Sequence, residues 1–531
     1  MTNFALIFRN LVKKDWKKLS LSLFGLVYFA VFYAPMMKDI YSTKADLLAM
    51  FETLKNPAMI ALVGPTEATA QTVTMASFYF QEMTLFTALI FIIVGILHVL
   101  SRTRAEEEEG LSELILSFPV GKLTQAGAVL LELTVFYLAS GLLITAGMTA
   151  LTRASDGFSL TANLLYGFGL GLTGLLFSAL ALLIAQLFDT ASTARNVTFG
   201  LLGAFYIARA FTDLSSATLM FSRLNPLAWV YLTSSSVGNH GLYLLAPLFL
   251  AGCLSLMALY LQHHRDISGS IFSEKEKPHR ASWLYSSTLG FVAKNAQGQL
   301  MIWGIGLFIM GATYGSIFGD IDKFVKTNAT IKAMFVENPK FNLAEQFMGT
   351  ILMVLVVLSV VPVISLIGRL GKDERLGRLD LLFLKTSRTK LLLSTWGLAV
   401  LVGTVIAELG GLGLYLASAS VMTKPIPLAT VLTAASAYLP TLLVFASLAT
   451  VLIAINRKLL DIAWVYLIAS FIIDYLGSLM KLGKIWHQVT LFYWVPRLPV
   501  DQMDWHYVIV MGVIALALLV FSSLIYRKRD I

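Results

Sequence analysis

Residues 101–122 read SRTRAEEEEGLSELILSFPVGK, and residues 368–390 read GRLGKDERLGRLDLLFLKTSRTK. Sliding the chain along itself by 267 places sets Arg102 on Arg369, Glu107 on Glu374, Gly110 on Gly377, Glu113 on Asp380 and Leu114 on Leu381. Each copy has a charged run, then a glycine, then an apolar stretch: Leu111, Leu114, Ile115 and Phe118 in one, Leu379, Leu381, Leu382 and Leu384 in the other. That order predicts a short amphipathic helix with one side against the body of the protein and the other presented to a partner. A lone charge run usually marks only a solvated loop. Two at matching places carry more weight.

The flanks of both stretches are too apolar for a soluble protein. Of 531 residues, 57% are hydrophobic and 13% charged, against a usual soluble charged share of about 25%. Such a surface would aggregate in water, and the same composition excludes disorder, a collagen repeat and a disulfide scaffold. The single cysteine, Cys253, has no internal partner and says nothing of redox compartment. A bilayer core takes about 20 apolar residues per helix. Runs of that kind lie near 19–37, 82–100, 124–150, 160–188, 197–214 and 242–261, then near 299–318, 346–368, 390–422, 429–455, 462–480 and 506–526. The run at 197–214 is the weakest, with Arg209 and Asp213 near its end.

The sequence therefore predicts an all-α polytopic membrane protein with twelve transmembrane helices in two sets of six. An amphipathic interfacial helix occupies 1–18, the first six-span domain 19–261, a polar linker with a second amphipathic helix 262–298, the second six-span domain 299–526 and a short tail 527–531. Each half places its charged loop between its second and third runs and a long loop after its first. Six spans is an even number, so the two halves share one orientation and form a parallel repeat.

In the N-terminal segment Phe4, Leu6, Ile7, Leu11, Val12 and Trp16 recur at helical spacing, with Arg9, Lys13, Lys14, Lys17 and Lys18 between them. This suits a helix in the membrane interface. The apolar run after it is too long for a cleavable signal peptide. With both termini cytoplasmic, the inner segments hold 26 of the 40 Lys and Arg, the bias expected of a multi-pass protein of the cell membrane. The net charge of +9 is then a matter of topology and anionic lipid. No basic stripe interleaved with aromatics points to nucleic acid.

The chain lacks the Gly-x-x-x-x-Gly-Lys-[Ser/Thr] pattern: Gly121-Lys122, Gly371-Lys372 and Gly483-Lys484 have neither the upstream glycine nor the following hydroxyl. No Gly-x-Ser-x-Gly elbow appears. His263 and His264 are adjacent, without further ligands at metal spacing. No catalytic residue, metal or cofactor is therefore expected on this chain. Glu132 and Glu408 fall inside the third and ninth runs, and intramembrane carboxylates suit a proton-coupled secondary carrier as the alternative reading. They do not match under the 267-place shift, which sets Glu132 on Ala399. His98 is expected at the interface. Arg209 and Asp213, one helical turn apart, are placed to pair, and Asp474 repeats the aspartate. Gly311, Gly315 and Gly319, and Gly167 with Gly171, have the spacing of closely packed helices.

The stretches TRAEEEEGLSELILSFPVGK (103–122), LSSATLMFSRLNPLAWVYL (214–232) and QHHRDISGSIF (262–272) resemble the ABC-2 type permeases, in particular the twelve-span branch known as exporters of polyketide antibiotics. That branch has an acidic cluster before a glycine, an outer Ser-Pro-Leu-Gly-Trp-like motif and an Arg-Arg-Asp-Leu-like exit from the sixth span. Here the outer motif is Asn225, Pro226, Leu227, Ala228, Trp229, with alanine for glycine, and the exit is His264, Arg265, Asp266, Ile267. Trp494, Val495, Pro496 and Arg497 resemble the outer motif only loosely.

The resemblance implies a fused pseudodimer of two six-span halves that exports an amphipathic drug, antibiotic, peptide or lipid-like solute. ATP and Mg would sit on a separate ABC ATP-binding subunit, in two copies, docked at two coupling loops. The loop residues are Arg104, Glu106, Glu107, Glu108, Glu109 and Glu113 in the first half and Asp373, Glu374, Arg375 and Asp380 in the second. Phe205, Tyr206 and Tyr466 are expected along the substrate path, and the segments 3–18 and 281–298 as connecting helices. Loop 101–123 has net charge −2 and loop 369–390 has +4, so the two docking faces differ. Apolar contact would then dominate docking, since rim charges mainly tune rate and specificity.

Overall fold

The computed structural model describes residues 3–40, 44, 47–48, 51, 54–55, 57–214, 218–233, 235–266, 269–272, 283–316, 318–320, 343–375, 377–476 and 483–528. Most of the predicted outer loop 319–345, part of the linker and Ile267 of the exit motif lie outside the described residues. The chain divides into two compact units, Met1–Lys277 and Pro278–Ile531. The first contains α1 (Phe4–Ile40), α2 (Met75–Arg102), α3 (Thr124–Leu151), α4 (Leu160–Leu187), α5 (Ala191–Asp213) and α6 (Leu245–His264). The second contains α7 (Thr288–Ser316), α8 (Leu343–Arg375), α9 (Arg388–Val421), α10 (Leu439–Ile455), α11 (Leu460–Leu476) and α12 (Trp505–Lys528).

Polar residues just ahead of the apolar runs start several of these helices. Thr74 and Ser77 form a reciprocal capping box on α2. Ser159, Thr190 and Ser387 cap α4, α5 and α9 through their side-chain oxygens. The predicted interfacial helix and first span are one continuous α-helix of 37 residues, about 55 Å long at 1.5 Å per residue. α7 likewise runs without a break through the expected boundary at 298/299.

Among the described residues nine helices, not twelve, are long and apolar enough to cross a membrane. They are α1, α2, α3, α4, α6, α8, α9, α10 together with the short helix Leu428–Ser436 before it, and α12. The other three expected spans coincide with helices that fall short for visible reasons. α5 carries Arg195, Arg209 and Asp213, and α7 is diluted by glycine, Asn295, Gln297 and Gln299; α11 is described only from Leu460 to Leu476, and the rest of the expected run lies outside the described residues. The chain is a multi-pass membrane protein on the strength of the nine.

Each unit has its own core and the same list of helix neighbours. In the first, α2, α3, α5 and α6 pack on α4, while α1 packs on α3 and α2. In the second, α8, α9, α11 and α12 pack on α10, while α7 packs on α9 and α8. Successive helix ends alternate between two faces. On one face of the first unit Gly157 and Ser236 meet at the start of α2: Ser236 Oγ donates to Gly157 O at 2.9 Å and lies 3.3 Å from Thr74 Oγ1. On the other face the residues around 101–125 meet the remaining helix ends.

Small residues set the closest approach. A Cβ on Gly311 would stand 2.0 Å from the Gly410 carbonyl oxygen, and one on Gly413 would stand 2.1 Å from that of Phe308. α7 and α9 therefore touch backbone to backbone, as small residues allow. Gly167 and Gly171 do the same for α4 against α3, at 2.7 Å from Gly141 O and 2.8 Å from Tyr137 O. Gly306, on α7, faces open space. We predict that Gly311→Val lowers stability by about 1–3 kcal/mol or more, the usual penalty for overpacking. Gly306→Ala should be neutral or slightly stabilising. Thermal melts of the two variants in the same detergent check this.

Candidate functional site

The face around 101–125 is built from ion pairs. α2 ends at Arg102, a short helix Arg104–Glu108 follows, and Gly110 turns the chain with φ +74° into the helix Leu111–Leu116. No neighbour lies within 4 Å of a Cβ on Gly110, so the glycine is required by the left-handed backbone alone. Gly377 turns the second loop with φ +65°, and the helix Asp380–Phe383 follows. The same device thus stands in both copies.

Glu106 and Glu107 point inward. Glu106 accepts from Lys14 Nζ at 2.8 Å, Arg102 Nη1 at 2.9 Å and Gln125 Nε2 at 2.7 Å. Glu107 receives Arg265 with both oxygens, each at 2.6 Å, and Arg104 Nη1 at 3.0 Å. Arg104 is itself buried and donates to Asp189 O at 2.8 Å and Gly269 O at 3.1 Å. Arg265 Nε donates to Gln186 Oε1 at 2.7 Å. Glu108 Oε1 accepts from Ala191 N at 2.8 Å, at the start of α5, where a carboxylate also suits the helix dipole. Asn3 Nδ2 donates to Pro119 O at 2.9 Å.

The start of α1, the end of α2, the start of α3, the end of α4, the start of α5 and the exit of α6 are therefore all tied to one elbow. What the elbow leaves exposed is Glu108, Glu109, Glu113 and an apolar ridge of Leu111, Leu114 and Phe118. Of the expected docking residues, Arg104, Glu106 and Glu107 are internal fastenings, and the ridge with its three glutamates forms the surface.

The second elbow is held differently. Leu370, Leu379, Leu391, Leu392, Ala454 and Tyr526 form an apolar cluster beneath it. Asp373 lies 3.7 Å from Arg369 and 3.5 Å from Arg378, and Arg369 donates to the carbonyl of Asn295. Glu374 is half-buried, whereas Arg375 and Asp380 are exposed beside Leu384. The Arg388 guanidinium sits 5.4 Å from the Phe383 ring centroid.

At the opposite end of the first unit Arg209 and Asp213 form a buried pair at 3.2 Å. Arg209 Nη2 also donates to Ala61 O at 2.6 Å and Leu62 O at 2.9 Å. Asp213 accepts from Ser222 Oγ at 2.5 Å and Tyr231 Oη at 2.7 Å. Burial first, and then the Asp213 carboxylate, push the Tyr231 phenol well above its usual range, which keeps it a donor. Asp474 meets His487 Nδ1 at 3.4 Å in the second unit. Trp229 and Trp494 each donate the indole N–H to the carbonyl six residues back, Arg223 at 2.7 Å and Gln488 at 3.0 Å. The loosely matching second motif thus shares this bond with the first.

The three aromatics expected on a substrate path have packing partners. Phe205 stacks edge-on with Phe177, Tyr206 bonds Leu62 O at 2.8 Å beneath Arg209, and Tyr466 packs on Phe445 and bonds Val489 O at 2.9 Å. Glu408 Oε1 accepts from Ser436 Oγ at 2.5 Å. His98, expected at the interface, is buried within the protein and bonded to Glu132 at 2.9 Å. Sequence reasoning missed Asp15, Gln125 and Gln186 as partners of this network. Asp15 stood among lysines in an amphipathic helix, and its only signal was that it broke the basic pattern.

Residues 285–527 match the family model described as the C-terminal domain of the multidrug efflux system permease Rv1217c. The chain is 27% identical over 516 residues to the multidrug efflux system permease protein Rv1217c of Mycobacterium tuberculosis, covering 95% of this chain and 91% of that relative. The similarity thus spans both units.

Glu107→Gln strands Arg265 and Arg104 without their carboxylate. Removing one partner of a buried ion pair costs about 3–5 kcal/mol, and the variant should melt well below the parent. Glu109→Gln, on the exposed rim, should shift stability by no more than about 0.5 kcal/mol. Side-by-side melts in detergent distinguish the two.

Proposed function

We propose that this chain is the membrane subunit of an ATP-driven ABC exporter of the ABC-2 type. It moves an amphipathic drug, antibiotic, peptide or lipid-like solute outward with energy from a separate ATP-binding subunit. The observation that carries the reading is the first elbow. An apolar ridge faces solvent there, and behind it ion pairs and hydrogen bonds join one end of all six helices. A partner that displaces the ridge displaces those ends together, which is what coupling between two sites requires. The similarity to a multidrug efflux permease over nearly the whole chain supports efflux as the direction and amphipathic compounds as the cargo.

The shared neighbour pattern, the paired left-handed glycines and the two indole bonds support twelve crossings in two parallel six-helix halves. In this reading α5, α7 and α11 cross as well. Both termini and both elbows are cytoplasmic, and each elbow takes one copy of the ATP-binding subunit, with ATP and Mg bound there. The first contact is apolar with an acidic rim, the second is centred on Leu384 with a basic rim.

The test is co-expression and reconstitution with a candidate ABC ATP-binding subunit. Leu114 and Phe118 are 61% and 63% exposed, so Leu114→Glu with Phe118→Glu should fold normally. We expect the double variant to lose co-purification and at least about tenfold of the permease-stimulated ATP hydrolysis, as truncating a buried hot spot does. Full assembly and turnover in that variant would remove the coupling assignment. Solute movement by the chain alone, driven by a proton gradient and abolished by Glu132→Gln or Glu408→Gln, would instead establish a carrier.

A further inference from the structure

Asp15, His98 and Glu132 come from three different helices, α1, α2 and α3, and are exposed by only 1%, 1% and 4%. His98 Nε2 lies 2.9 Å from Glu132 Oε2 and 4.0 Å from Asp15 Oδ2. One nitrogen and two carboxylate oxygens, one from each residue, fall within 4.8 Å of one another. Around them, Arg102 clasps both oxygens of Asp15 and reaches Glu106, and Lys14 also reaches Glu106.

Counting charges isolates one group. Arg102 answers Asp15, and Lys14 answers Glu106. Among the described residues no Lys or Arg pairs with Glu132, whose Oε1 is buried without a hydrogen-bond partner. A buried carboxylate is costly unless neutralised and bonded. A neutral His98 leaves the charge of Glu132 standing. An imidazolium supplies the charge but leaves Oε1 bare. A divalent ion supplies the charge and engages both oxygens of Glu132.

We infer that Asp15, His98 and Glu132 form a site for a divalent transition metal of the zinc class. Zinc takes imidazole nitrogen and Asp or Glu oxygen and is most often four-coordinate, a number that His98, Asp15 and the two oxygens of Glu132 would supply. Magnesium and calcium prefer oxygen alone. Arg102 acts from outside the ligand set, holding the Asp15 carboxylate toward His98, as outer partners of metal ligands do. The ion would pin α1 to α2 and α3 one turn from the elbow. The second unit has nothing equivalent at these places: the 267-place shift sets His98 on Ser365 and Glu132 on Ala399. One ion per chain is therefore expected, not two.

The experiment uses the full-length chain in detergent without an affinity tag. The protein is stripped with chelator, reloaded with zinc, desalted and assayed by mass spectrometry for metal. The parent should retain about one zinc per chain, with loading that depends on deprotonated ligands. His98→Ala and Glu132→Gln should retain less than about a tenth of that, and the exposed pair variant His263→Ala with His264→Ala should retain it in full. Because His98→Ala removes a buried ring, melting is read as well. Zinc should raise the melting temperature of the parent by several degrees, magnesium should not, and Glu132→Gln should melt cooperatively without the rise. A parent that keeps no zinc, or a Glu132→Gln variant that keeps as much, overturns the site. So does a melt that responds to pH through His98 and ignores zinc, which would assign the pair to a proton.

Discussion

Glu106 and Glu107 are nearly out of water, and a buried carboxylate is tolerable only while its cations stay in place. Arg102 and Arg104 flank the end of α2, Arg265 follows α6, and each also bonds something else. The pairs therefore fix where the helix ends stand relative to one another. Releasing any one would leave a bare charge in a poorly solvated setting, so the elbow holds a single arrangement or changes as a whole. The exposed ridge is useful only because of what lies behind it.

The two units reach the same neighbour pattern by different chemistry. The first elbow rests on paired charges and the second on a leucine cluster closed by Tyr526. An apolar seat tolerates sliding, because it is non-directional and depends mainly on area. A bidentate ion pair does not slide, since its geometry is set by two parallel bonds. At the other end of the fifth helix the contrast recurs: Asp213 has an arginine and a tyrosine, whereas Asp474 has a histidine. Two units can evidently share one pattern of helix neighbours while exchanging the forces behind it.

Much of the fold was legible because membrane burial writes itself into composition. Each of the twelve apolar runs coincides with a helix, and the repeated glycine proved to mark the same left-handed turn. Composition failed where a helix hides its charges against the protein. Arg209 made the fifth run look doubtful, yet its guanidinium is wholly buried between Tyr206 and backbone carbonyls. The elbow was legible as a place and not as a set of roles. A run of four glutamates carries no sign of which face inward; that depends on Arg265 and Lys14, far away in sequence. The pairings of Asp15 and His98 were hidden for the same reason, since their partners lie on other helices.

The unbroken length of α1 has a mechanical consequence. The helix is fastened near its beginning, at Lys14 and Asp15, and runs on to Ile40. A rod held close to one tip magnifies angle into displacement: about 25 residues at 1.5 Å each give an arm of roughly 37 Å, so a rock of ten degrees at the fastening sweeps the far tip through about 6 Å. A small tilt where Lys14 and Asp15 grip would thus arrive across the bilayer as a movement wider than a water molecule.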